Sequence, residues 1–247
     1  MGHAADCVAQ NTACFEPFLL LLRYASSLAS SFSPPPQKHT SKAADEDPLQ
    51  DFCVALNAND PQITINGLLC KPAAEVQDAD FASQQLRNPG NFSAKLGSAV
   101  NLASATTFGA LNTQGLSIAR IDFRPRGLNP PHVHPRATEV LFLAQGTLVV
   151  GFVSTAPQNR LFSKTIYAGD LFVFPRGLPH FQFNPDKSKP ALAISALNSQ
   201  NPGVSQLAVA LFASNPPLPE EVLEITLGVG DEELDRLIKS VQEVISM

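Results

Sequence analysis

An all-β fold of the sandwich or barrel class, with α-helices at its C-terminal end, is predicted from three observations on this 247-residue chain. From Leu116 onward the apolar residues fall in short runs bounded by turn residues, the spacing of sandwiches and barrels. The 21 prolines stand mainly between those runs, where a missing backbone N–H costs no sheet hydrogen bond. Helical periodicity is absent from these runs and appears only towards the end of the chain.

With 44% apolar residues, the chain can bury one domain core with some additions, which leaves no room for a second catalytic domain. Three segments follow: a leader over 1–48, a β-barrel domain over 49–215 and a helical extension over 216–247. The charges, 17 basic against 22 acidic, give a net −5 with no Lys/Arg cluster, which argues against a nucleic-acid partner.

The leader holds an apolar core at Phe18-Leu19-Leu20-Leu21-Leu22 and resembles a damaged signal peptide. Asp6 and Glu16 precede the core and Arg23 breaks it, whereas an efficient signal has a basic start and an unbroken run. Residues 33–48 are polar and Pro-rich and read as a disordered lead-in. No stretch approaches the roughly 20 apolar residues of a membrane span, so a soluble mature protein is expected. Cys7 and Cys14 fall in the leader, leaving Cys53 and Cys70 in the globular part. These two can bridge in an oxidising compartment and stay thiols in a reducing one. Asn91-Phe92-Ser93 is a glycosylation sequon in a Pro-Gly-Asn loop.

The strand-like runs are 116–123, 139–143, 147–153, 164–167, 171–174, 181–183, 191–197 and 205–211. Beyond Pro216-Pro217-Leu218-Pro219 the character changes, with Pro219 suited to the first turn of a helix carrying Val222 and Leu223. A second helix follows, for which Asp231 is a cap and Glu232 and Glu233 complement the dipole. Leu234, Leu237, Ile238, Val241, Val244 and Ile245 form its apolar stripe, which can pack on the barrel or, as preferred here, on a neighbouring subunit.

The chemistry concentrates between Gly127 and His180. In Pro130-Pro131-His132-Val133-His134 two histidines two apart project to one side of an extended backbone, a form the prolines favour. Glu139 shares its strand face with Leu141 and Leu143 and points into an apolar interior, where a lone carboxylate is costly. His180 opens a strand after the turn Pro175-Arg176-Gly177-Leu178-Pro179, a return that can bring it beside the first three. Three imidazoles and one carboxylate fill four of six positions of an octahedral ion and leave two for water or substrate, which suits Mn²⁺ or Fe²⁺ better than a closed structural zinc site.

The segments Gly127–Glu139 and Phe174–Gln182 closely resemble the two motifs of germin-like proteins, plant members of the cupin superfamily. The likeness runs from Asp51-Phe52-Cys53-Val54-Ala55 through Leu197–Gly203 to Phe212–Pro217. It implies a cupin jelly-roll β-barrel that binds manganese through His132, His134, Glu139 and His180, is secreted to the cell wall (the apoplast), and assembles as a hexamer, a trimer of dimers. It also implies a disulfide between Cys53 and Cys70, and intersubunit contacts for the terminal helices. Manganese held by three neutral ligands and one carboxylate can cycle between two oxidation states, a chemistry that suits superoxide dismutation, while the same site in true germins oxidises oxalate. Non-enzymatic wall or storage roles and small-ligand binding form a different class of reading.

In oxalate-oxidising germins two asparagines near the ion help to hold the dicarboxylate. Asn129 matches one, but the other falls on Ala119, which has no polar group. The sequence thus favours superoxide over oxalate. Arg124 and Arg126 stand where relatives carry small residues, and Pro179 replaces an apolar side chain before His180. Arg126 takes the place of the glycine that begins the first motif, so a positive φ there would strain the loop. The two arginines offer either a positive rim for anions or ordinary solvated surface, and the second reading is preferred.

Overall fold

The computed structural model describes residues 67–245. Two five-stranded antiparallel sheets pack face to face as a jelly-roll barrel. The first has the order β1 (Ser98–Ala103), β2 (Ser117–Phe123), β9 (Ala191–Leu197), β4 (Glu139–Gln145) and β7 (Leu171–Phe174). The second runs β10 (Ser205–Gln206), β3 (Leu128–Val133), β8 (His180–Phe183), β5 (Thr147–Val153) and β6 (Leu161–Tyr167). Three helices follow: α1 (Leu207–Phe212), α2 (Glu220–Leu227) and α3 (Asp231–Ile245). Among the described residues no helix is long and apolar enough to cross a membrane.

Period-two alternation explains which side chains fill the barrel. On β2, Ser117, Ala119, Ile121 and Phe123 face inward; on β9, Ala191, Ala193, Ser195 and Leu197 do so; on β4, Glu139, Leu141 and Leu143. They join Leu148, Val150, Ile166 and Phe174 from the other strands in one apolar core. Glu139 and Ser195 are thus polar residues on otherwise apolar faces, at the end of the barrel that carries the metal-ligand candidates.

The second sheet contains the irregularity that shapes this end. Pro130 and Pro131 lie inside β3, where neither can donate to the ladder, and the β3–β8 register shifts between Asn129 and His132. Residues three apart on a regular strand face opposite sides. The bulge turns both Asn129 and His132 inward, and both are buried.

The segment over 205–211, expected as a strand, is corrected by the structure. Only Ser205–Gln206 is strand, paired with Val133 and His132, and Leu207–Phe212 is α-helical. A short apolar run carries no period that separates the two states, and packing on α3 decides the helix. Gly230, whose carbonyl accepts from Leu234 N at 3.0 Å, occupies the cap position of α3, and Asp231 is its first helical residue. Pro219 likewise caps α2, one position before its first turn. Of the α3 stripe, Leu234 is buried and Ile238, Val241 and Val244 half-buried, while Leu237 stays exposed.

Arg126 has φ 63°, in the left-handed region, as a residue replacing the motif glycine would. Its backbone N donates to Asp186 O at 2.9 Å, and its guanidinium stacks over Phe183 with Cζ 4.6 Å from the ring centre. Arg124 stacks similarly on Phe92 at 4.5 Å. Both arginines are exposed and rest on aromatic rings, and neither lines the cavity described below. Substitution separates strain from stacking. R126G relieves about 1 kcal/mol of left-handed strain but gives up a stacking contact of about 0.5–1 kcal/mol and loosens the unfolded chain, so its urea-unfolding stability should stay within about 1 kcal/mol of the parent. R126V loses the stack, keeps the strain and adds the crowding of a β-branched residue at positive φ, and should lie about 1 kcal/mol below R126G; equal stabilities would show that φ is not maintained.

Candidate metal centre

His132 and His180 face each other as a registered pair across β3 and β8. His134 follows the end of β3, and Glu139 opens β4 in the opposite sheet. The donor atoms of all four lie within 4.8 Å of one another, and all four residues are buried. Sequence spacing and structure therefore agree on this group.

Backbone carbonyls fix the imidazoles. His132 Nδ1 donates to Pro130 O at 2.8 Å and His180 Nδ1 to Leu178 O at 2.8 Å, each reaching back two residues across a proline. His134 Nδ1 donates to Gly203 O at 2.6 Å. A carbonyl can only accept, so each Nδ1 carries a proton and, in the neutral ring, each Nε2 presents a lone pair. Gly203 itself has φ 69°, and a Cβ there would come within 2.8 Å of Arg136 Nη2. Arg136 ties the same loops together, donating from Nε to Asn201 O at 2.7 Å. Arg176 Nε donates to Pro135 O at 3.1 Å and Gly177 N to His134 O at 3.1 Å, joining the two motif loops.

The electrostatics favour a cation. Glu139 Oε2 lies 3.0 Å from His134 Nε2 and 3.4 Å from His180 Nε2, and the latter nitrogen is buried with no hydrogen-bond partner. Lone pairs that face a carboxylate oxygen at these distances repel unless a proton or metal ion lies between them. Burial would raise the Glu139 pKa, but the polar groups facing it on His134, His180 and Ser195 outweigh burial and hold the carboxyl well below the usual range. Burial, reinforced by the neighbouring His180, pulls His132 down to about 4, so its ring stays neutral at physiological pH. Burial also acts to lower His134, but the Glu139 carboxylate and Gly203 carbonyl outweigh it and raise its pKa. Three imidazoles and one buried carboxylate thus fit a divalent or trivalent ion.

Two further residues complete the surroundings of Glu139. Ser195 Oγ donates to Oε1 at 2.6 Å, and Gln182 Nε2 lies 3.4 Å from the same oxygen. Asn129 Nδ2 in turn donates to Gln182 Oε1 at 2.7 Å. Strand period alone can find both: Gln182 is two residues from His180 on β8, and Ser195 shares the inward face of β9 with Ala193 and Leu197.

A cavity of about 140 Å³ opens over the ligands. Asn129, Gln206 and Ser195 are polar residues on its wall, while Val100, Ala119, Ile121, Leu197 and Val204 make the rest apolar. Asn129 and Ala119 both line it. It shares Val100, Asn129 and Gln206 with an adjoining chamber of about 520 Å³, whose rim carries the exposed Asn91. Cys53 and the leader lie outside the described residues.

The Cupin family profile matches residues 84–235. Germin-like protein 8-2 of Oryza sativa subsp. japonica is 51% identical over 196 residues, spanning 79% of this chain and 88% of the relative. Germin-like protein subfamily 2 member 4 of Arabidopsis thaliana is 48% identical over 195 residues, covering 79% and 87%. An oxalate oxidase in complex with the substrate analogue glycolate superposes with a TM-score of 0.75 at 43% identity, over 79% of this chain and 97% of that one. Sequence, fold and ligand set agree, and the chain belongs to the cupin family as one of the germin-like proteins.

Proposed function

We propose that this chain is a secreted, manganese-dependent superoxide dismutase of the plant cell wall. The observation that carries the reading is a His₃Glu group beneath a small, mostly apolar cavity that offers a dicarboxylate few free hydrogen-bond donors. His132, His134, Glu139 and His180 would hold the ion. Bound manganese supplies a one-electron couple, so that two superoxide ions and two protons give O₂ and hydrogen peroxide.

The protein's own groups set the conditions. The anchored Nδ1–H groups hold three neutral donors in place without rearrangement. Glu139 gives the donor set one negative charge, which favours the higher oxidation state of the ion. The cavity, about 140 Å³, has room for a small anion beside its apolar wall.

Oxalate oxidation is the second reading, favoured by the likeness to a solved oxalate oxidase and by Asn129 in the cavity wall. Against it, Ala119 brings no donor, and one N–H of the Asn129 amide is already given to Gln182. A non-enzymatic wall or storage protein, or a small-ligand binder, would not need a buried carboxylate among three imidazoles. Secretion to the apoplast, a Cys53–Cys70 disulfide and a glycan on Asn91 accord with the family resemblance, and Asn91 is exposed. So does a homohexamer built as a trimer of dimers: Val140, Phe142, Leu171 and Val173 expose an apolar outer face on β4 and β7, and Val222 and Ile225 do so on α2.

Purified protein should carry about one manganese per subunit, and H134A should lose metal and superoxide activity together while keeping its far-ultraviolet circular dichroism. Full metal occupancy in H134A would sink the ligand assignment. Superoxide turnover should exceed oxalate turnover on the same sample. A119N should raise oxalate oxidation by roughly one to two powers of ten, the worth of one hydrogen bond to a charged group at about 1.5–3 kcal/mol, and leave superoxide activity nearly unchanged. Efficient oxalate oxidation by the unmodified protein would put the second reading first. Mass spectrometry without reduction should find Cys53 bridged to Cys70 in wall-extracted protein, a cross-link worth roughly 3 kcal/mol; two free thiols would count against both bridge and compartment.

A further inference from the structure

We infer that Ser195 commits Glu139 to binding the metal through a single carboxylate oxygen, and so keeps coordination positions free for substrate. The inference rests on the His₃Glu metal reading and deepens it. A carboxylate can hold an ion through one oxygen or through both, and a glutamate has the torsional freedom to pass between the two.

The structure distinguishes the two oxygens of Glu139. Oε2 stands among the ligand nitrogens, 3.0 Å from His134 Nε2 and 3.4 Å from His180 Nε2. Oε1 is turned the other way, accepting from Ser195 Oγ at 2.6 Å with Gln182 Nε2 3.4 Å away. A hydroxyl bond this short to a carboxylate is charge-assisted, and it ties Oε1 to β9, so that Oε1 must give up or bend this bond to reach the ion.

Ser195 is well placed to resist rotation of that carboxylate. It is 1% exposed, on a strand hydrogen-bonded on both sides, to β2 and to β4. On the inward face of β9 its neighbours Ala191, Ala193 and Leu197 offer no polar atom, so no other group on that face can replace the hydroxyl. The Gln182 amide is itself held by Asn129 at 2.7 Å, which braces Oε1 from the opposite sheet. Ser195 is therefore a positioning residue. Its effect falls on the number of positions left at the ion.

The test loads metal-free protein with Mn²⁺ alone and counts bound waters by water-proton relaxation. A six-coordinate ion with four protein donors keeps two waters in the parent, and in S195A a second Glu139 oxygen displaces one, cutting the inner-sphere relaxation enhancement roughly in half. S195T and S195V have nearly the same shape and differ in the hydroxyl, so S195T should retain the parent value and S195V should match S195A, whatever the packing cost. Equal hydration in S195T and S195V, or in S195A and the parent, would overturn the role of Ser195. Failure of the parent itself to bind Mn²⁺ would instead overturn the metal reading, so the two failures are distinct.

Discussion

A carboxylate buried to 2% exposure between two sheets is the constraint on which this molecule turns. Glu139 opens a strand whose next inward residues, Leu141 and Leu143, are fully buried, so it cannot turn to solvent without pulling the strand out of the core. An ionised group in such a place needs compensation on every side. The opposite sheet provides His132 and His180, the loop after β3 provides His134, and β9 provides Ser195. Much of the polar arrangement at this end of the barrel can be read as the answer to that one charge.

The bulge in β3 is what lets the answer assemble. Two consecutive prolines cost the ladder two donors, and the register slips where they stand. The slip gives Asn129 and His132 a common face, which a regular strand would deny them. Asn129 then supports Gln182, and Gln182 approaches Glu139, so a defect in one sheet organises side chains that meet the other.

The His₃Glu group is legible in the sequence because the spacing of its members, the prolines around them and the apolar run after Glu139 each have a direct geometric meaning. Most strands are legible for the same reason, since a half-buried strand writes its period into the chain. β1 is not: Ser98-Ala99-Val100-Asn101-Leu102-Ala103 mixes small and polar residues without clean alternation. α1 is misread because six apolar residues in a row satisfy helix and strand alike, and only its packing on α3 decides. Gln182 and Ser195 are recoverable from strand period, but their worth becomes visible only when Glu139 is seen to need donors. Arg126 is a different case, since the strained backbone is foreseen from the displaced glycine while the stacking on Phe183 is a long-range contact no local pattern encodes.

The histidines are clasped by main-chain carbonyls, two of them through the same short path across a proline. Imidazoles held by the backbone do not depend on the identity of the apolar side chains that wall the cavity. Those apolar positions are free to vary by single substitutions, gaining or losing an amide as at Ala119, without disturbing the three imidazoles. Within such a scaffold the cavity wall and the imidazole cluster become separately inheritable traits, so a lineage can reshape what enters the cavity while the cluster beneath it stays intact.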